Sequence, residues 1–174
     1  MRLAGDPRRA AAGIILAVIL ALSCGAPTEE SRIRALVKDA AARAEKRDVA
    51  GLMRLFAADY RDFQGRDTAG TERLVGDYLG RYRSVIIHPL GIRIGAVDAD
   101  GTASLECEIV LSHGAAEVLR KLIRVVGEYY RFRMDVRRTG PGEWRFTSAA
   151  WESIGLEELF PESLRVLREL FPGL

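Results

Sequence analysis

The side chains best suited to nucleophilic or metal chemistry are scarce in this chain: Cys24, Cys107, His88 and His113. An activated nucleophile needs a base within hydrogen-bond reach, and a metal needs several ligands at fixed spacing. Neither pattern is present. Cys107 lies in an alternating run with Leu105, Ile109 and Leu111, so it reads as a small buried apolar residue. His88 precedes Pro89 and reads as a strand-end residue. His113-Gly114 reads as a turn. There is no Gly-x-Ser-x-Gly elbow and no phosphate-cradling glycine loop. No metal and no cofactor are expected.

Cys24 has a different context. Arg2, Arg8 and Arg9 precede an uncharged apolar run over residues 10–22, which is short of the roughly 20 residues that span a bilayer. The run ends in Leu20-Ala21-Leu22-Ser23-Cys24. This resembles the lipobox of bacterial lipoproteins, with Ala21 where leucine is usual. The resemblance implies cleavage of residues 1–23, lipidation of Cys24 and a tether over residues 24–28. It places the protein in the bacterial envelope, held to a bilayer by its acyl chains. Gly25 is not the aspartate that favours inner-membrane retention, so the periplasmic leaflet of the outer membrane is expected. With Cys24 acylated, Cys107 has no disulfide partner.

The apolar content of 48% and charged content of 29% are those of a chain that folds. Removing the signal segment leaves 23 basic and 23 acidic residues. A neutral domain lacks the charge that drives phosphate binding, so no nucleic-acid partner is expected.

The elements follow from periodicity. Ile33, Leu36, Val37, Ala40, Ala41 and Ala44 form a helical stripe behind Glu29 and Glu30. Asp48 is placed to cap a second short helix carrying Leu52, Leu55 and Phe56. Residues 59–64 read as a short strand. Thr71 is placed to cap a third helix carrying Leu74, Val75, Tyr78, Leu79 and Tyr82. The period then changes to two. Strands are expected over 84–88 and 90–97, with Pro89 at a break or edge. Strands also fit 102–112, about 129–137, and 144–153. The second of these sets Tyr130, Phe132, Met134 and Val136 against Arg131, Arg133 and Arg137. Residues 115–126 fit a helical stripe or a lipophilic loop. The segment from Leu156 reads as an amphipathic helix broken at Pro161 and docked on the domain.

Three helices followed by an antiparallel meander make an α+β plan. Together with the Arg47-Asp48 corner, Leu52-Met53-Arg54-Leu55-Phe56 and the Glu143-Trp144 to Ala150-Trp151-Glu152 strand, this order resembles the nuclear transport factor 2-like superfamily. The resemblance covers about residues 30–155 and assigns a domain over 29–155, with a C-terminal helix over 156–174. It implies a cone-shaped curved antiparallel sheet wrapped on three N-terminal helices.

The superfamily includes ketosteroid isomerases and polyketide cyclases. Anchored on Leu55-Phe56 and Trp151, the isomerase positions for the oxyanion tyrosine, the proton-shuttling aspartate and the protonated aspartate fall on Ala40, Gln64 and Met134. None can do that work. A two-residue slip would bring Asp62 to the base position, and Asp62 is the one weak catalytic candidate. Met134 and Trp151 fall on pocket-lining positions, with Tyr130, Phe132 and Gln64 beside them. The expected function is therefore binding of a small apolar ligand without catalysis. Two alternatives stay open: a protein-interaction module forming a homodimer through the sheet face, and an isomerase, dehydratase or cyclase using Asp62.

Overall fold

A computed structural model describes residues 27–82, 84–113 and 127–170. The signal segment, Cys24 and the stretch 115–126 lie outside the described residues. Helix α1 (Glu29–Glu45) starts on Thr28, whose hydroxyl accepts from the Ser31 N–H. Helix α2 (Val49–Met53) starts on Asp48, as its sequence position suggests. Strand β1 (Phe56–Asp62) and helix α3 (Thr68–Gly80) follow. Four long strands come next: β2 (Val85–Ile94), β3 (Thr102–His113), β4 (Gly127–Gly140) and β5 (Glu143–Ile154). A 3-10 turn (Leu156–Glu158) leads into helix α4 (Pro161–Leu170).

The strands form one curved, open sheet in the order β1-β5-β4-β3-β2. Its inner face packs on α1, α2 and α3, and its outer face carries α4. Phe132 and Leu36 share the inner core, which also holds Ile33, Tyr60, Val136 and Phe146. The α+β cone is as expected, with one addition. β1 runs parallel to β5 (Phe56 beside Phe146, Asp62 beside Ala149), so the sheet is mixed. Helix α3 and the three-stranded meander intervene between those two strands, which leaves room for a parallel return.

Local expectations need correction. Helix α2 ends at Met53, so Leu55 lies past it and Phe56 opens β1, which starts three residues ahead of the expected strand. Helix α3 is capped by Asp67, whose carboxylate accepts from the Gly70 N–H. Thr71 sits one turn further in and points inward. Pro161 starts α4 rather than breaking it, because the first helical position needs no N–H donor. Pro89 stands on an edge strand, as expected, but does not divide β2 into two strands. It lies within the strand, at a register shift between Pro89 and Gly91. β2 is an edge strand, where a missing N–H is tolerated. Its free edge meets α1: Arg34 donates to the Ile92 carbonyl (3.1 Å), and the Ile87 N–H donates to Glu45 (2.7 Å).

Helix α4 lies on β2, over Leu90, Val110 and Ile154, and contributes Leu167, with Leu159 just ahead of it. Gly91 permits this approach, since a Cβ there would stand 2.4 Å from Ser163 Oγ. Beneath the helix start, Glu108 is fully buried. It accepts from Arg131 at 3.0 and 2.7 Å and from the Phe160 N–H at 2.8 Å. The guanidinium groups of Arg131 and Arg93 lie over the Phe160 ring.

Candidate functional site

The cone is hollow. Between the helices and the inner sheet face lies a cavity of about 580 Å³. The small stripe of α1 makes the space: Ala40, Ala41 and Ala44 present methyl groups where larger side chains would fill it. Opposite them, β3 contributes Cys107, Ile109 and Leu111, β4 contributes Tyr130, Phe132 and Met134, and β5 contributes Phe146, Ala149 and Trp151. Phe132 stacks on Trp151 with ring centroids 6.0 Å apart, and Phe63 meets the same indole edge-on at 4.8 Å. Leu74 and Gln64 belong to the wall and are exposed, so the cavity reaches solvent on that side.

Gln64, Tyr130, Phe132, Met134 and Trp151 all lie on the cavity wall. So do Ala40, Gln64 and Met134, the three positions matched to the isomerase groups. Asp62 does not. It borders a separate groove together with Ser104, Glu106, Arg133 and Ser148. Its oxygens are engaged: Oδ1 accepts from the backbone N–H groups of Gln64 and Arg66 (both 2.9 Å), and Oδ2 accepts from Arg66 Nε (2.6 Å). Burial is the largest influence on this carboxyl and pushes its pKa up. The hydrogen bonds from the Arg66 backbone, the Arg66 side chain and Gln64 together outweigh it and hold the pKa below the ordinary value. Asp62 therefore organises the turn after β1, and the base assignment for it fails on geometry.

Glu108 is buried but faces away from the cavity, under α4. Cys107 faces the cavity. Burial, followed by the neighbouring Glu108 charge, pushes its thiol up to about 12, which leaves it protonated and unreactive. His88 lies within β2 opposite Val110. Among the described residues no three metal-ligating side chains come together.

The polar groups of the wall are few. Tyr60, 1% exposed, lines the cavity beside Thr71. Burial raises the Tyr60 phenol to about 12, with Thr71 drawing it the other way. Arg66 lies on the wall over the Trp151 ring, 5.5 Å from its centroid. Tyr78 and Tyr130 both donate to Glu128, at 3.1 and 2.8 Å. Burial and then Glu128 raise the Tyr130 phenol to about 12 and the Tyr78 phenol as well. Glu128 is exposed and does not itself line the cavity; Tyr130 is one strand period from it on the same face, whereas nothing in the sequence announces Tyr78, 50 residues away.

The outer face is not an apolar sheet surface. Helix α4 covers one part, and ion pairs cover much of the rest: Arg133 with Glu106 and Glu152, Arg137 with Asp59, Arg93 with Glu162. Arg138 pairs with Glu29. The basic row of β4 is thus matched by acids of its own sheet and of α1.

No protein-family model matches the chain, and no curated protein matches it either. Solved structures do. A nuclear transport factor 2-like protein of unknown function from Pseudomonas putida KT2440 is 19% identical, with a TM-score of 0.59 over 76% of this chain and 96% of its own. A protein of Streptomyces avermitilis, provisionally assigned as a dehydratase of the same superfamily, is 15% identical, with a TM-score of 0.58 over 74% of this chain and 99% of its own. Bd1075 of Bdellovibrio bacteriovorus is 9% identical with a TM-score of 0.56. That match covers 71% of this chain and only 40% of Bd1075. Identities this low speak for architecture alone, and the architecture they show for this chain is the nuclear transport factor 2-like cone.

Proposed function

We propose that this chain is a lipid-anchored protein of the bacterial envelope whose cone takes up a small apolar molecule without transforming it. The observation that carries the reading is the cavity. It is roomy, it reaches solvent, and its wall is alanine, aliphatic and aromatic with a handful of polar groups, which is how ligand pockets are built. The three isomerase positions reach the wall as Ala40, Gln64 and Met134, so the wall lacks a proton shuttle at those places. The charged, helix-covered outer face supports this reading over a sheet-face homodimer.

The test titrates the full chain with a hydrophobic fluorescent probe while following Trp151 emission in a Trp144→Phe background. Isomerisation of a β,γ-unsaturated ketone is assayed in parallel. Saturable binding without turnover is the expected result, and the absence of binding would remove the reading. The anchor is tested separately. Cys24→Ala is expected to leave an unprocessed precursor without metabolic lipid label, and labelling of that variant would refute the lipoprotein assignment. Sucrose-gradient fractionation of the wild type decides between the two membranes, with the outer one expected.

One observation favours an isomerase, dehydratase or cyclase: Glu128 is a carboxylate gripped by two phenols of the cavity wall. Glu128 does not itself line the cavity, so catalysis in this cone would run through the Tyr78 or Tyr130 phenol that it holds. Turnover abolished by Glu128→Gln and kept in Asp62→Asn would establish it.

A further inference from the structure

Thr71 is a polar side chain in the wrong place for a helix that already has its cap. It is 4% exposed, it faces the cavity, and its hydroxyl has no hydrogen-bond partner among the described residues. An unsatisfied buried hydroxyl is costly and calls for an explanation. Tyr60 lies next to it, on a different element, with its phenol at the same part of the wall. The two hydroxyls are neighbours, close enough for Thr71 to draw the phenol's pKa down, and the Thr71 hydroxyl is left without a partner of hydrogen-bond geometry.

The charged group of this wall is Arg66. Arg66 is spent on Asp62 through Nε and on Gln64 through its terminal nitrogen. The Asp62–Arg66 pair sums to zero charge, so this corner has no net positive charge to neutralise an anion. Burying an unpaired carboxylate would be expensive. A neutral oxygen with two lone pairs needs no such compensation and can accept from both hydroxyls at once.

We infer that Tyr60 and Thr71 form the polar anchor of the cavity, and that its ligand is an uncharged apolar molecule bearing a carbonyl oxygen. The inference rests on the ligand-binding reading above and narrows it to a chemical class. Tyr60 comes from β1 and Thr71 from α3, so the anchor exists only where strand and helix are packed together. The buried phenol remains protonated across the physiological range, which keeps it a donor. The remainder of the wall supplies apolar contact and shape.

Three probes of equal size separate the possibilities: 2-acetylnaphthalene, 2-ethylnaphthalene and 2-naphthoate, each titrated into the full chain by quenching of tryptophan emission. The ketone is expected to bind about tenfold tighter than the hydrocarbon, as two modest hydrogen bonds provide. Tyr60→Phe and Thr71→Val are isosteric and should each reduce that preference to about threefold. The double variant should abolish it, so that ketone and hydrocarbon bind alike. Equal binding of ketone and hydrocarbon by the wild type overturns the anchor and leaves the ligand-binding reading intact, as does a preference that survives in the double variant. Tighter binding of the naphthoate overturns the neutral-carbonyl assignment. Failure of all three probes to bind overturns the ligand-binding reading and the anchor with it.

Discussion

Replacing Glu108 by glutamine should release the C-terminal helix. The carboxylate is fully buried and accepts three hydrogen bonds, two from Arg131 and one from the Phe160 N–H that opens the helical segment. Glutamine keeps the volume, removes the charge and turns one acceptor into a donor facing another donor. Breaking a buried ion pair from one side costs about 3–5 kcal/mol. Arg131 retains 16% side-chain exposure, so water reaches it and the lower end, about 3 kcal/mol, is the better figure. With a urea slope of about 1.5–2 kcal/mol/M, the unfolding midpoint should fall by roughly 1.5–2 M. Trypsin gives the local readout, because Arg165 and Arg168 lie in α4 and cleavage there should accelerate before global unfolding. The double variant Glu108→Leu/Arg131→Met should recover most of the loss, since apolar replacement of a whole buried pair is often neutral. If Glu108→Gln left both the midpoint and the cleavage rate unchanged, the ion pair would not be what seats the helix.

Other outcomes follow from the same packing. Gly91→Ala should cost about 1–3 kcal/mol, because its new methyl would collide with Ser163 Oγ; Ser163→Ala should relieve that cost in a urea titration of the double variant. Asp62→Asn should lower stability at pH 7 by about 1.5–3 kcal/mol through loss of charge-assisted hydrogen bonds. The folded pKa of Asp62 is depressed, so its contribution is complete above the unfolded value of about 3.9 and is lost as pH falls through the native value. The wild type and Asp62→Asn should therefore differ at neutral pH and converge in acid-denaturation curves only as the pH falls from about 4 through the lower native value. Phe132→Ala should lower the urea midpoint, because the ring packs against both the inner core and Trp151.

Much of the architecture was legible in the residues. The stripe from Ile33 to Ala44 and the alternation from Tyr130 to Val136 each have one period and one buried face, so α1 and β4 could be placed and their faces assigned. Where two residues could do one job, the choice needed three dimensions: Asp67 and Thr71 both suit a helix start, and only packing sends Thr71 inward. Long-range partners were equally hidden. Nothing in Phe56–Asp62 announces a parallel neighbour some 90 residues later, and nothing about Glu108 announces the backbone of Phe160. A hollow and a filled core have the same hydrophobic pattern. Ala40, Ala41 and Ala44 read as helix face either way, and the void appears only when the opposing strands stand off from them.

The guarded margin of β2 matters where molecules crowd. An open sheet ends in strands whose outward amides can seed another strand, and long bare edges recruit copies of themselves into fibres. A second molecule approaching β2 would find the Ile87 N–H already taken by a glutamate, the Ile92 oxygen already taken by an arginine, and at Pro89 no amide hydrogen at all. Two side chains of α1 and one imino acid thus make a length of polar backbone unavailable for templating. Many copies packed side by side would meet along this margin without stitching together.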